Sequence, residues 1–210
     1  MIVMSDIKIV GIGDEGNDYL ESLQKNLSTE IKTISVNTCN WILERYSSQI
    51  KINIAKGEEL GLDGGSPQRS ETFAIKHYDE IFNALSDAEL VITLAQLGDD
   101  DGGGVTPLVS YLAKDIGAVS VAVVCFPFYF AGQRRKRIAL DSLIKLNSAA
   151  DYVCLLESDY ILSYCPPKTP MTEAWEIVNN WVVETVRQIL NCYELLKSDE
   201  LFKQDIKRRK

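Results

Sequence analysis

The sequence predicts an α/β domain, a doubly wound and mainly parallel six-stranded sheet with helices on both faces. Three observations carry that expectation. Six short apolar runs alternate with amphipathic segments of helical period, which makes parallel pairing through right-handed crossovers the economical topology. The run 90–95 is apolar or Thr throughout, as a central strand covered on both faces has to be. Glycine-bearing loops follow several of the runs, at the carboxyl ends where open α/β sheets bind ligands.

In chain order, residues 6–12 (DIKIVGI) read as the first strand. Gly11-Ile12-Gly13-Asp14-Glu15-Gly16-Asn17 follows at once and opens an amphipathic helix with Tyr19, Leu20, Leu23 and Leu27 on its apolar side. Strand, glycine loop and helix satisfy G-x-G-x-x-G in its required context. A dinucleotide site also needs an acidic residue about 20 positions on, at the end of the second strand. That strand, 31–36, ends in Asn37-Thr38, so the dinucleotide reading is weakened, and a tight turn without a ligand stands beside it. A short helix near 41–46, a third strand at 50–55 and a polar loop at 56–67 (KGEELGLDGGSP) come next. A long helix over 70–85 then turns Phe73, Ile75, Ile81, Phe82 and Leu85 inward.

The strand at 90–95 leads into LGDDDGGGVTP. Gly98, Gly102, Gly103 and Gly104 allow close backbone approach to a ligand, and Val105-Thr106-Pro107 opens a helix reaching 116. Residues 118–125 (AVSVAVVC) are the most strand-like segment of the chain. A stiff aromatic loop, FPFYFAG, separates them from a helix that starts at QRRK and reaches Leu146. The sixth strand, 152–156, leads through Glu157-Ser158-Asp159. The last helix takes Thr169 as N-cap and Pro170 as its first residue and runs to about 196, followed by a frayed, charged helical segment. The expected division is a nucleotide-binding domain over 1–197 and a charged tail over 198–210.

Composition excludes several function classes. Thirty acidic against 22 basic side chains give a net charge of −8, which argues against general affinity for nucleic acid or anionic membranes. The basic end, Lys207-Arg208-Arg209-Lys210, reads as a solvated tail. Five scattered cysteines without CxxC spacing suggest neither a disulfide framework nor a zinc site. With no signal-peptide pattern and no apolar run near 20 residues, no transmembrane segment and a cytoplasmic location are expected. His77 is the single histidine, in a polar helical stretch, so Ser-His-Asp and Cys-His chemistry are almost entirely removed.

The motif order KIVGIGDEGND, NTCNWIL, KGEELGLDGGSP, LGDDDGGGVTPLV and VAVVCFPFYFAGQRRKR, closed by a long helix, covers nearly the whole chain. It resembles the N-terminal GTP-binding domain of the FtsZ/tubulin superfamily, in a divergent form. The most specific segment is VAVV-x-x-PF-x-x-x-G followed by arginines. The resemblance implies a GTP or GDP site built from Gly11, Gly13, Gly16 and Asn17 in the first loop and Asn37 in the second. Gly64 and Gly65 would serve in the third loop, and Gly98, Gly102, Gly103, Gly104 and Thr106 in the fourth. Pro127 and Arg135 belong to the fifth, with Ser158 after the sixth strand and Trp175 and Asn179 on the last helix. The chain also departs from the family pattern. Asp14 replaces a glycine, Cys39 an aspartate, Ser158 an asparagine, and Ala131 the glutamate that contacts ribose; both threonines of the GGGTGTG-like loop are gone. Trp175 stands where a Phe stacks on guanine, with core packing as its other reading. Asn179 stands where an Asp reads the base edge, and an amide presents a donor to a donor there, so guanine selectivity is expected to drop.

Asp99, Asp100 and Asp101 put three carboxylates in the middle of an anion-binding loop. Each close carboxylate–phosphate pair costs ~2–4 kcal/mol at an effective dielectric near 20. Charge-assisted N–H bonds return ~1.5–3 kcal/mol each. Bare phosphate is expected to lose. Mg²⁺ or Ca²⁺ held by Asp99, Asp100 and Asp101 together with Asp14 would reverse the sign, and three solvated aspartates are the remaining reading. In the family, a loop after the central helix carries catalytic acidic residues to the next subunit's nucleotide, and a second domain follows. The sequence reaches Lys210 where these should begin, so hydrolysis by the chain alone is not expected and no catalytic residue is assigned. Two function classes remain. One is a divergent GTP-binding domain of a cell-division or cytoskeletal filament system, self-associating or acting on a full-length FtsZ-like homologue. The other is a pseudo-GTPase interaction module that no longer binds nucleotide. A dinucleotide-binding protein is a distant third.

Overall fold

The computed structural model describes residues 3–27, 30–58, 66–166 and 168–209. The first half of the chain alternates β1 (Val3–Ile12), α1 (Gly13–Asn26), β2 (Glu30–Asn37), α2 (Asn40–Leu43) and β3 (Ile50–Asn53), followed by α3 (Pro67–Lys76) and α4 (Tyr78–Leu85). The second half runs β4 (Leu90–Gln96), α5 (Asp100–Asp115), β5 (Val119–Phe126), α6 (Gln133–Ala149), β6 (Tyr152–Glu157), α7 (Ser158–Leu162), α8 (Met171–Leu196) and α9 (Glu200–Arg209). All six strands pair in parallel, in the order β3-β2-β1-β4-β5-β6. The doubly wound sheet expected from the alternation is therefore the one observed. The strand order reverses between β1 and β4, and such a switch point opens a crevice beyond the carboxyl ends of those two strands.

Side-chain alternation along the buried strands feeds two cores. Val10, Ile12, Val91 and Val124 pack under α3 to α6 with Phe73, Val105 and Val109. Ile9, Ile92, Val121 and Val123 pack under α1 and α8 with Leu20, Leu23, Val178, Val182 and Val186. Every residue of β4 and β5 is buried, which explains why their sequences are continuous apolar runs rather than alternating ones. No helix among the described residues is long and apolar enough to cross a membrane.

Four local expectations are corrected. The helix predicted over 70–85 is two helices that meet at His77, whose backbone (φ −102°, ψ 22°) leaves the helical region. The glycine run after β4 is not a loop: α5 already begins at Asp100 and carries Gly102–Gly104 in its first turns and Pro107 in its interior. A Cβ on Gly102 would overlap the Gln96 carbonyl oxygen, and one on Gly104 the Pro67 carbonyl oxygen. These glycines let α5 press against the end of β4 and against α3. Pro170, not Thr169, holds the N-cap of α8, while Thr169 Oγ1 donates to Pro166 O at 2.8 Å. The closing segment is docked rather than frayed, because α9 buries Ile206, sets Phe202 edge-on to Tyr193, and pairs Arg209 with Asp151 at 2.9 Å.

Gly16 shows how little room the helices have, since a Cβ there would overlap the Leu94 carbonyl oxygen across the α1–β4 contact. Gly16→Ala is expected to destabilise the fold by about 1–3 kcal/mol through overpacking. Urea unfolding checks this, and a change within ~0.5 kcal/mol would contradict the close approach.

Candidate functional site: an acidic cleft at the carboxyl ends of the strands

The loops after β1, β2 and β4 and the start of α6 enclose a cleft of about 360 Å³. Two helices begin at its wall. α1 starts at Gly13 and α5 at Asp100, and neither has a side-chain cap hydrogen bond. Their positive ends therefore face the cleft with amide N–H groups available to an anion. Gly13 makes the entry turn with φ +72°, in the region that favours glycine.

The charge within this anion-binding frame is the wrong sign for an anion. Asp14, Glu15, Asp99, Asp100 and Asp101 line the cleft against two cations, Arg134 and Arg135. Each carboxylate whose contacts are resolved has a distinct role. Asp101, 8% exposed, accepts from Thr38 N (2.9 Å) and Thr38 Oγ1 (3.0 Å) through one oxygen and from Ser70 Oγ (2.7 Å) through the other. It thereby ties the loop after β2 and helix α3 to the first turn of α5. Burial raises its pKa, and these hydrogen bonds oppose the rise. Asp14 accepts from Asn37 Nδ2 at 2.7 Å, while Asn37 Oδ1 accepts from Cys39 N at 2.7 Å. Asp99 forms an ion pair with Arg135 at 3.2 Å.

Glu15, in the first turn of α1, and Asp99, at the N-cap of α5, both line the cleft and lie close enough to interact. Burial, then the Asp99 charge, pushes the Glu15 carboxyl up to about 8. Asp99 is also raised by burial, against the pull of Arg135. Two adjacent, desolvated carboxyls cannot both be charged cheaply, so the pair retains a proton near neutral pH.

The tubulin/FtsZ GTPase-domain family model matches residues 6–166. The chain belongs to the tubulin/FtsZ family. It is 30% identical over 185 residues to the cell division protein FtsZ of Helicobacter pylori (strain J99), covering 87% of this chain and 48% of that protein. Among solved structures, the empty FtsZ dimer of M. jannaschii superposes with a TM-score of 0.80 at 31% identity, over 87% of this chain and 53% of that one. CetZ from Methanosaeta thermophila gives 0.73 at 18% identity, a likeness of fold. The chain spans about half the length of the relatives it matches.

The residues assigned through the FtsZ resemblance separate into three groups. Gly13, Asn37, Gly98 and Arg135 line the cleft. Gly11, Gly16, Gly102, Gly103, Gly104 and Thr106 stand behind it as packing: a Cβ on Gly103 would lie 2.8 Å from Ser142 Oγ, and Thr106 Oγ1 donates to Gly102 O. Asn17 is fully buried and donates to Gly13 O at 2.6 Å and Val36 O at 3.2 Å, pinning the first loop to β2, and Pro127 packs on Gly98. The third group stands off the cleft lining. Ser158 Oγ donates to Phe126 O at 2.6 Å, Trp175 sets its ring edge-on to Phe128 at 5.3 Å, and Asn179 is half-buried on α8. Trp175 packs against the second core from a half-buried position. Gly64 and Gly65 lie outside the described residues.

The expectation of a metal at Asp99, Asp100 and Asp101 is not met by their geometry. All three line the cleft, yet Asp99 turns to Arg135 and Glu15 while Asp101 spends both oxygens on Thr38 and Ser70. Among the described residues no group of three or more His, Cys, Asp or Glu side chains is placed to hold a metal ion. The donor set does not fit Mg²⁺. Sequence reasoning missed Glu15 as the partner of Asp99 and Ser70 as the partner of Asp101, and neither pairing leaves a local pattern.

A carboxyl whose pKa is raised on folding adds stability below its unfolded value, near 4.5, and loses it as pH climbs to about 8. Glu15→Gln, which mimics the protonated form, is expected to match the wild type near pH 5 and exceed its stability by ~1–3 kcal/mol near pH 9. Denaturant unfolding at the two pH values checks this. An equal gap at both would contradict the shared proton.

Proposed function

We propose that this chain is a divergent FtsZ-type nucleotide domain of a cell-division or cytoskeletal filament system whose own carboxylates occupy the place of the nucleotide phosphates. At neutral pH it then holds GTP or GDP weakly and serves as a pseudo-GTPase interaction module rather than as a turnover enzyme. The observation that carries this reading is the set of five carboxylates around two uncapped helix N-termini in one cleft. Asp100 and Asp101 already complement the positive end of α5, so an incoming phosphate gains less from that end and meets more repulsion. The 30% identity to the Helicobacter pylori cell division protein supports the setting.

A second reading, a cleft that still takes guanine nucleotide, is favoured by the form of the cleft. The cleft is open, its volume lies in the range of small-molecule sites, and Arg134 and Arg135 stand at its rim.

Thermal shift separates the two, because a nucleotide at 100 times its dissociation constant stabilises by about 2.7 kcal/mol. Near pH 7.5, GTP, GDP and ATP, with or without Mg²⁺, are expected to leave the wild-type melting temperature unchanged at millimolar concentration. Asp99→Gly with Asp100→Thr, leaving the Asp101 ties intact, is expected to create a response to GTP or GDP. A clear wild-type shift establishes the second reading, and a double variant as silent as the wild type removes repulsion as the obstacle.

A further inference from the structure

A second cleft, of about 750 Å³, opens beside the first, and Thr38 and Cys39 stand in the walls of both. Its remaining walls come from α2, from the edge strand β3 and the turn after it, and from Glu80 on α4. The buried residues Leu43 and Ala55 give it an apolar floor, and Trp41 in the same lining is left 63% exposed. A volume of this size suits a small molecule.

The polar groups of the lining are unevenly committed. Asn53 Oδ1 accepts from Ala55 N at 3.0 Å, while its Nδ2 finds no acceptor among the described residues. Lys51 and Lys56 are exposed and form no ion pair there. Three donors are thus unpaired in one cleft. Among the acids, Asn40 Nδ2 holds Glu44 Oε1 at 2.9 Å, which leaves Glu80 as the uncommitted carboxylate. A lysine on an edge strand blocks the addition of a further strand, and that role accounts for Lys51. It does not account for Lys56, which follows the strand, or for the open indole of Trp41. The charge balance also differs from that of the nucleotide cleft. Two lysines here stand against Glu44 and Glu80, whereas five carboxylates there stand against two arginines. In a chain of net charge −8, an anion meets less repulsion in this second cleft.

We propose that this cleft binds a small planar aromatic compound carrying one anionic group, a carboxylate or a phosphate. The ring would cover Trp41 and the apolar floor, and Lys51, Lys56 and Asn53 Nδ2 would hold the anion. The site lies on the far side of the Thr38–Cys39 wall from the nucleotide cleft, and the proposal does not rest on how that cleft is used.

Fluorine NMR on protein labelled with fluorotryptophan tests it, with naphthoate, its neutral analogue naphthamide and adenosine monophosphate as probes. Trp41→Phe identifies the Trp41 resonance among those of Trp41, Trp175 and Trp181. Naphthoate or adenosine monophosphate is expected to shift that resonance saturably with a midpoint below ~1 mM, and the tighter of the two names the anion. Naphthamide should bind ~3–10-fold more weakly than naphthoate. Lys51→Gln with Lys56→Gln should weaken the anionic probe by ~3–10-fold, and Glu80→Gln should tighten it by ~2-fold. All three positions are exposed, so these variants are expected to keep the fold. Asp99→Gly with Asp100→Thr should change the midpoint by less than ~3-fold, because charges across the shared wall are screened. No shift of the Trp41 resonance up to ~5 mM of either anion overturns the proposal. So does equal binding of naphthamide, an affinity indifferent to both lysines, or a response confined to Trp175 and Trp181. A midpoint that moves ~10-fold with Asp99 and Asp100 places the probe in the nucleotide cleft and overturns it as well.

Discussion

Asp101 is the constraint on which the cleft depends. Its two oxygens take three hydrogen bonds from Thr38 and Ser70, joining the ends of β2 and β4 to helix α3 in one buried contact. α5 begins at Asp100, next to that contact, and its N-cap residue Asp99 lines the cleft beside Glu15. The glycines behind it allow the helix to lie close enough for the contact to form. A residue that reads as an intruder in a phosphate loop is thus the one that fixes the loop's shape.

The same arrangement accounts for the chemistry of the cleft. Helix N-termini attract negative charge, and here the chain supplies it from Asp99, Asp100 and Asp101. The arrangement is over-supplied, since Asp14 and Glu15 add two more carboxylates from α1. Relief comes through the Arg135 ion pair and the proton retained between Glu15 and Asp99. The cleft is therefore electrostatically satisfied only in part and only near or below neutrality.

Much of the fold was legible because it depends on local patterns. The continuous apolar runs of β4 and β5 follow from burial on both faces, and the alternation of strand and helix leaves one economical topology. The misreadings share a cause. Gly102–Gly104 look like a loop because glycine disfavours helix, yet tertiary contact with Gln96 and Pro67 overrides that preference. The Asp101 ties span 31 and 63 residues, and the Glu15–Asp99 pair joins two distant loops. No period or motif records such distances. Trp175 reads two ways for the converse reason: an amphipathic helix places a core residue and a stacking residue at the same spacing.

The central claim is that carboxylates of the chain stand where phosphate would bind, and that protons control their charge. Isothermal titration calorimetry with GDP, near pH 5.5 and again near pH 8.5, tests it most directly. The account expects affinity at the lower pH at least ~10-fold tighter, with net proton uptake visible as a heat that changes with buffer ionisation enthalpy. Tight binding of equal strength at both pH values, with no proton uptake, would contradict it.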